Sequence, residues 1–147
     1  MNYRRINKYN VSQLCFGTAT FIRGRLMPER DTKEGLETLT AALNSGLNLV
    51  HSNPNLGTQW AIPHAIMSSS MRNKAHNIVK VELPADANLL LYDFFCQKLD
   101  KSLENLNVDS LFGIIYEIDI KRTKEKDALT NPVAMLNHYE RIRHIFE

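Results

Sequence analysis

Phe95-Cys96-Gln97-Lys98-Leu99-Asp100-Lys101-Ser102-Leu103-Glu104-Asn105-Leu106 leads, after a short polar link, into Leu111-Phe112-Gly113-Ile114-Ile115-Tyr116-Glu117-Ile118. The spacing of Phe95, Leu99, Leu103 and Leu106 makes one apolar stripe of a helix, with Lys98, Lys101 and Glu104 on its other face. The second stretch is nearly continuous in apolar residues, the pattern of a strand covered on both faces. A helix feeding such a strand is one unit of an alternating β/α chain. Upstream, β-like runs occur at Leu14-Cys15-Phe16, Leu47-Asn48-Leu49-Val50 and Ile78-Val79-Lys80-Val81. Between the first two, Asp31 and Glu34 predict an N-cap and capping box. Leu36, Leu39 and Leu43 continue at helical spacing, and Gly46 stands where a helix stops. The helix bearing Phe95 is expected to open after Asn88, and a short helix is expected near Pro63. A last helix starts at Asn131-Pro132 and carries Met135, Tyr139, Ile142 and Phe146 on one face. The order β-α-β-α-β-α-β-α predicts parallel strands joined by right-handed crossovers. Periodicity alone leaves two architectures, an open doubly wound sheet or a segment of a (β/α) barrel.

The 147 residues fit a single domain spanning 1–147. Hydrophobic residues make up 44% and charged residues 23%, enough apolar material for a core. Lys and Arg number 18 against 16 Asp and Glu, a net charge of +2, which argues against a nucleic-acid or membrane partner. The nearest basic patch, Lys121, Arg122, Lys124 and Lys126, is interrupted by Glu125 and Asp127 and reads as a solvated loop. Cys15 and Cys96 lie far apart in apolar neighbourhoods, as reduced cysteines do in a reducing compartment. His64, His76, His138 and His144 form no metal-ligand pattern, so no metal is expected. Met1-Asn2-Tyr3-Arg4-Arg5 begins basic, but no signal-peptide apolar run follows. No window approaches the roughly 20 apolar residues of a membrane span, and a cytoplasmic location is the expectation.

Four stretches, in order, resemble the first half of the aldo-keto reductases, NAD(P)H-dependent (β/α)8-barrel enzymes. Tyr3-Arg4-Arg5-Ile6 and Val11-Ser12-Gln13-Leu14-Cys15-Phe16-Gly17-Thr18 resemble that family's opening hairpin and first barrel strand. Thr38-Leu39-Thr40-Ala41-Ala42-Leu43-Asn44-Ser45-Gly46-Leu47-Asn48 resembles its first helix and second strand. His51-Ser52-Asn53-Pro54-Asn55-Leu56-Gly57 sits at its Asp-Thr-x-Pro-x-Tyr-Gly motif, and Ser102-Leu103-Glu104-Asn105-Leu106-Asn107-Val108-Asp109 matches the approach to its fourth strand. The resemblance chooses the barrel. It implies about half of a TIM-type barrel, preceded by a short β-hairpin.

In that family a tyrosine donates a proton to the carbonyl oxygen as hydride arrives. A lysine and an aspartate lower the tyrosine's pKa, and a histidine orients the substrate. The resemblance places these positions at Leu56 (tyrosine), Lys80 (lysine), His51 (aspartate) and Glu117 (histidine), so one of four is kept. Glutamate stands at the last position in members that reduce carbon–carbon double bonds, but those keep the tyrosine. NADP(H) is the implied cofactor, with Gly17 and Thr18 the cofactor-side candidates; most nicotinamide and phosphate contacts in the family come from later strands. The expectation is an aldo-keto-reductase-like chain with little or no activity alone. Its alternatives are an oxidoreductase fragment completed by a second half barrel and a non-enzymatic interaction protein. Read plainly, Lys80 is a structural ion pair or a strand-end lysine reaching water, and His51 a satisfied loop residue. Asn53-Pro54-Asn55 is first a turn, and Trp60 a packing residue near the mouth. A barrel takes about 250 residues, so four strands leave two open edges, and a homodimer or a complementary half barrel is the expected partner.

Overall fold

The computed structural model describes residues 1–19, 28–82, 91–117 and Glu140. Its elements are β1 (Tyr3–Ile6), β2 (Tyr9–Ser12), β3 (Phe16–Gly17), α1 (Pro28–Asn44), β4 (Leu49–Ser52), 3-10 turns at Pro54–Leu56 and Gln59–Ala61, α2 (Ile62–Met67), β5 (His76–Glu82), α3 (Leu91–Leu106) and β6 (Gly113–Glu117). Strands β3-β4-β5-β6 form one sheet in that order, every pair parallel. Strands β1 and β2 form a separate antiparallel hairpin pairing Tyr3 with Ser12 and Ile6 with Tyr9. Asn7 closes its turn at φ 53°, a left-handed conformation that asparagine tolerates better than most residues.

Strand alternation decides which face is buried. In β5, Asn77, Val79 and Val81 are buried while His76, Ile78, Lys80 and Glu82 are only partly so. The buried face of the sheet, with Val50, Val79 and Val81, packs against Leu39 and Leu43 of α1, Ile62, Ala65 and Ile66 of α2, and Phe95 and Leu106 of α3. Phe95 anchors this layer, with its ring edge-on to Phe94 and Tyr116 at centroid distances of 5.8 and 5.0 Å.

Both long helices end alike. Gly46, at φ 99°, donates to the Leu43 carbonyl while Leu47 donates to Ala42. Asn107, at φ 52°, donates to Glu104 while Val108 donates to Leu103. The left-handed residue lets each chain turn back and satisfy carbonyls that the helix leaves open. Beneath the sheet, Asn48 ties the hairpin down: its Oδ1 accepts from Ser12 N (2.7 Å) and its Nδ2 donates to the Asn10 carbonyl (2.8 Å). The Tyr3 hydroxyl donates to the Gly46 carbonyl at 2.6 Å.

The expected strands, the short helix at Pro63 and the hairpin are all present. Several details differ. Helix α1 begins at Pro28, so Asp31 lies within it rather than capping it. The first sheet strand is Phe16–Gly17, and Leu14 and Cys15 precede it, exposed. Among the described residues strand β6 is not covered on both faces: Ile115 and Glu117 are exposed, and the described helices pack on the other side. Trp60 is exposed too, its ring edge-on to His64. The helix expected from Asn131-Pro132 and the Lys121–Lys126 cluster lie outside the described residues, Glu140 apart. Among the described residues no helix is long and apolar enough to cross a membrane.

Candidate functional site

The sheet face turned away from the helices carries the site. The register sets Gly17 beside His51, His51 beside Ile78, Lys80 beside Ile115 and Glu82 beside Glu117. Side chains alternate along a strand, so Lys80 and Glu82 share this face with His51 and Glu117. Lys80 Nζ is ion-paired with Glu117 Oε2 across the strand pair and lies 3.4 Å from Glu82 Oε1. The Glu117 hydrogen bond is the main cause that raises the Lys80 ammonium above its ordinary value, against a smaller opposing effect of burial. Burial alone would raise the Glu82 carboxyl. Hydrogen bonds from Asn53, Lys80 and Asn55 outweigh it, and the net shift is downward.

Glu82 was not singled out in the sequence, yet it organises the end of the sheet. Asn53 Nδ2 donates to its Oε1 at 2.6 Å, and Asn55 Nδ2 approaches Oε2 at 3.4 Å. Lys98 Nζ of α3 donates to Asn55 Oδ1 at 2.9 Å. The Asn53–Gly57 turn is thereby tied to β5 and α3. Asn53 Oδ1 also accepts from Asn55 N, and Gly57 closes the turn at φ 67°. The readable signal was the Lys80-x-Glu82 spacing, which puts both charges on one strand face.

Leu56 ends the 3-10 turn of this segment and is 43% exposed, an apolar side chain where the resemblance calls for tyrosine. His51 sits with Lys80 and Glu117. Burial first, then the Lys80 charge, lowers its imidazole pKa below the ordinary 6.5, with Glu117 opposing. Its buried Nε2 has no hydrogen-bond partner among the described residues, which departs from the satisfied loop residue of the plain reading. The His51 carbonyl accepts from both Thr18 N and Thr18 Oγ1 at 3.1 Å.

This arrangement sets the Lys80 ammonium between the Glu82 and Glu117 carboxyl groups, beside an imidazole whose charged form burial disfavours. Leu56 has no ionisable group, and the Lys80 ammonium holds its proton more tightly than usual. Gly17 borders open space, since a Cβ there would meet nothing within 4 Å. Thr18 is buried with its hydroxyl already given to His51, so it has no donor left for a dinucleotide. These two positions do not by themselves form a cradle for NADP(H). Among the described residues no group of three or more His, Cys, Asp and Glu could hold a metal ion.

Comparison with solved structures places this fold. A thermostable aldo-keto reductase, Tm1743, crystallised with the inhibitor epalrestat, superposes at a TM-score of 0.64 with 20% identity over 96% of this chain and 50% of its own. PA4992 from Pseudomonas aeruginosa, described as an aldo-keto reductase, gives 0.65 with 18% identity over 95% and 56%. An aldo/keto reductase from Brucella melitensis gives 0.58 with 19% identity over 95% and 48%. No protein-family model matches the chain, nor does the sequence of any curated protein. The fold is that of part of an aldo-keto reductase barrel, and the chain spans about half the length of the structures it matches.

Proposed function

We propose that this chain is an aldo-keto-reductase-like half barrel with little or no carbonyl reductase activity of its own. The observation that carries the reading is Leu56, an aliphatic side chain at the place of the proton donor. General acid catalysis typically contributes about 10²–10⁴-fold, and among the described residues no neighbour stands in as the donor. Burial disfavours the charged form of His51, and Lys80 is committed to Glu117 and Glu82 rather than free to lower the pKa of an acid. The sheet, Lys80 and the turn at Asn53 form the scaffold, with Glu117 in place of the family's histidine.

NADP(H) use is the implication of the resemblance, and hydride is what that cofactor supplies when bound. Gly17 is the one candidate here with room for it. The test is to titrate NADPH and NADH into the purified 147-residue chain while following Trp60 fluorescence, then to assay NADPH oxidation with simple aldehydes. The expected result is neither saturable binding nor turnover. Micromolar binding, or turnover, would overturn the reading. A second reading, an oxidoreductase subunit completed by another half barrel, is favoured by Lys80, which stands at the family's lysine position on a sheet face that is open among the described residues. Turnover that appears only on mixing with a complementary half would establish it.

A further inference from the structure

The end of the molecule opposite the Lys80 site is basic and bears exposed aliphatic side chains. Strand β1 is the hairpin's outer edge, and all four of its residues are exposed. Its edge carries Arg4 on the hairpin face shared with Ile6, Val11 and Tyr9, Arg5 on the opposite face, and Lys8 in the turn. The loop between α2 and β5 ends at the same side of the sheet and adds exposed Arg72 and Lys74. His76, which follows that loop, stacks edge-on against Tyr9 of the hairpin at 5.1 Å. None of these five cations is in a salt bridge among the described residues, where the ion pairs lie at Lys33, Lys80 and Lys101. Among the described residues Asp109 is the acidic residue of the loops at this end, and no Asp or Glu precedes Glu29 in the sequence.

The net charge of +2 hides this polarity, because the positive charges come from separate segments and acidic residues elsewhere offset them. Beside the cations stand Met1 (48% exposed), Ile6 (46%) and Leu14 (63%). Exposed apolar groups rimmed by charge mark interaction surfaces.

We propose that this hairpin end docks on an anionic lipid surface, the arginines and lysines meeting the headgroups and Ile6, Met1 and Leu14 entering the interface. The mixture of charge and aliphatic surface favours lipid over nucleic acid. Sequence-tolerant nucleic-acid binding uses open aromatic faces for base stacking. Here the Tyr9 ring is occupied by Lys8, His76 and Phe112, and Tyr3, 43% exposed, does not by itself make a row of stacking faces. Basic residues with apolar side chains that reach the headgroup boundary match the requirements of interfacial binding. The inference is independent of the Lys80 site and of any reductase activity.

The test is co-sedimentation of the 147-residue chain with vesicles of equal parts phosphatidylcholine and phosphatidylserine, and with vesicles of phosphatidylcholine alone. The chain is expected to pellet with the first and not the second, and to be released by salt. Reversing Arg4, Arg5 and Lys8 to Glu should weaken partition on the order of 100-fold. Arg72→Glu with Lys74→Glu should weaken it as well, which keeps the test decisive if the hairpin variant misfolds. Ile6→Ser should weaken binding at unchanged charge, while Lys33→Glu on helix α1 should leave it intact. Equal pelleting with both vesicles, no pelleting with either, full binding by both charge-reversal variants, or displacement from vesicles by a duplex oligonucleotide would each overturn the proposal.

Discussion

Leu56 has no proton to give, and on the proposed reading restoring one does not restore a relay. Leu56→Tyr combined with His51→Asp should leave the 147-residue chain without measurable NADPH oxidation on simple aldehydes. Lys80 remains paired with Glu117 and Glu82, and Thr18 remains committed to the His51 carbonyl. Turnover by that variant would show that these pairings yield to substrate. Glu82 makes a complementary case. Glu82→Ala removes the acceptor of the buried Asn53 amide, and a buried donor left unpaired costs about 1–3 kcal/mol. The partly exposed carboxylate puts the expected loss near the lower end, read as a shift in the urea midpoint. Glu82 has a folded pKa below the ordinary 4.5, so its contribution is present above that value and fades as pH falls through the folded one. Lys80 works in the opposite sense. Its raised pKa makes its contribution complete below 10.5 and lost only at higher pH.

At the scale of elements, helix ends and the hairpin dock carry the predictions. Gly46 ends α1 at φ 99°, and a Cβ there would stand 2.9 Å from the Tyr3 hydroxyl. Gly46→Ala should therefore cost about 1–2 kcal/mol, combining left-handed strain with the displaced Tyr3 bond. Faster amide exchange in β1 would accompany that loss. His76 joins hairpin to sheet, stacked between Tyr9 and Phe112, and burial lowers its pKa below the ordinary 6.5. The same direction holds for His51. A histidine with a depressed folded pKa contributes stability above the ordinary value and loses it as pH falls. The urea midpoint should drop between about pH 7 and about pH 5, and His76→Phe should flatten part of that slope. A midpoint unchanged by acid would contradict the burial assigned to both imidazoles. In the core, Phe95→Ala should cost about 3–5 kcal/mol, a large share of the stability of a domain this size.

For the whole molecule, the open sheet decides behaviour. Strands β3 and β6 are its edges among the described residues, and β6 exposes Ile115 beside the charged pair. Edge strands with unpaired backbone groups invite pairing with another chain. The 147-residue chain alone should elute as a dimer or larger species in size-exclusion chromatography with light scattering. A monodisperse monomer at micromolar concentration would count against that expectation.

How much was legible follows from the range of each interaction. Local spacing placed the strands and helices, because a period near two or near 3.6 reflects which side chains face the core. Motif order pointed to the reductase barrel and to Leu56 at the donor's place. Spacing did not reveal that one face of β6 is open among the described residues, since an apolar run looks the same whether one face or both are covered. Nor did it single out Glu82, whose partners Asn53, Asn55 and Lys80 converge only when the turn folds back over β5. The gathering of Arg4, Arg5 and Lys8 with Arg72 and Lys74 is likewise tertiary, because residues nearly seventy positions apart share an end only through the sheet. The amino-acid order by itself determined the alternation, the helix stop at Gly46, and the leucine at the place where the resemblance calls for tyrosine. Pairing of charges and the exposure of faces were decided by the fold, because both depend on contacts between segments distant along the chain.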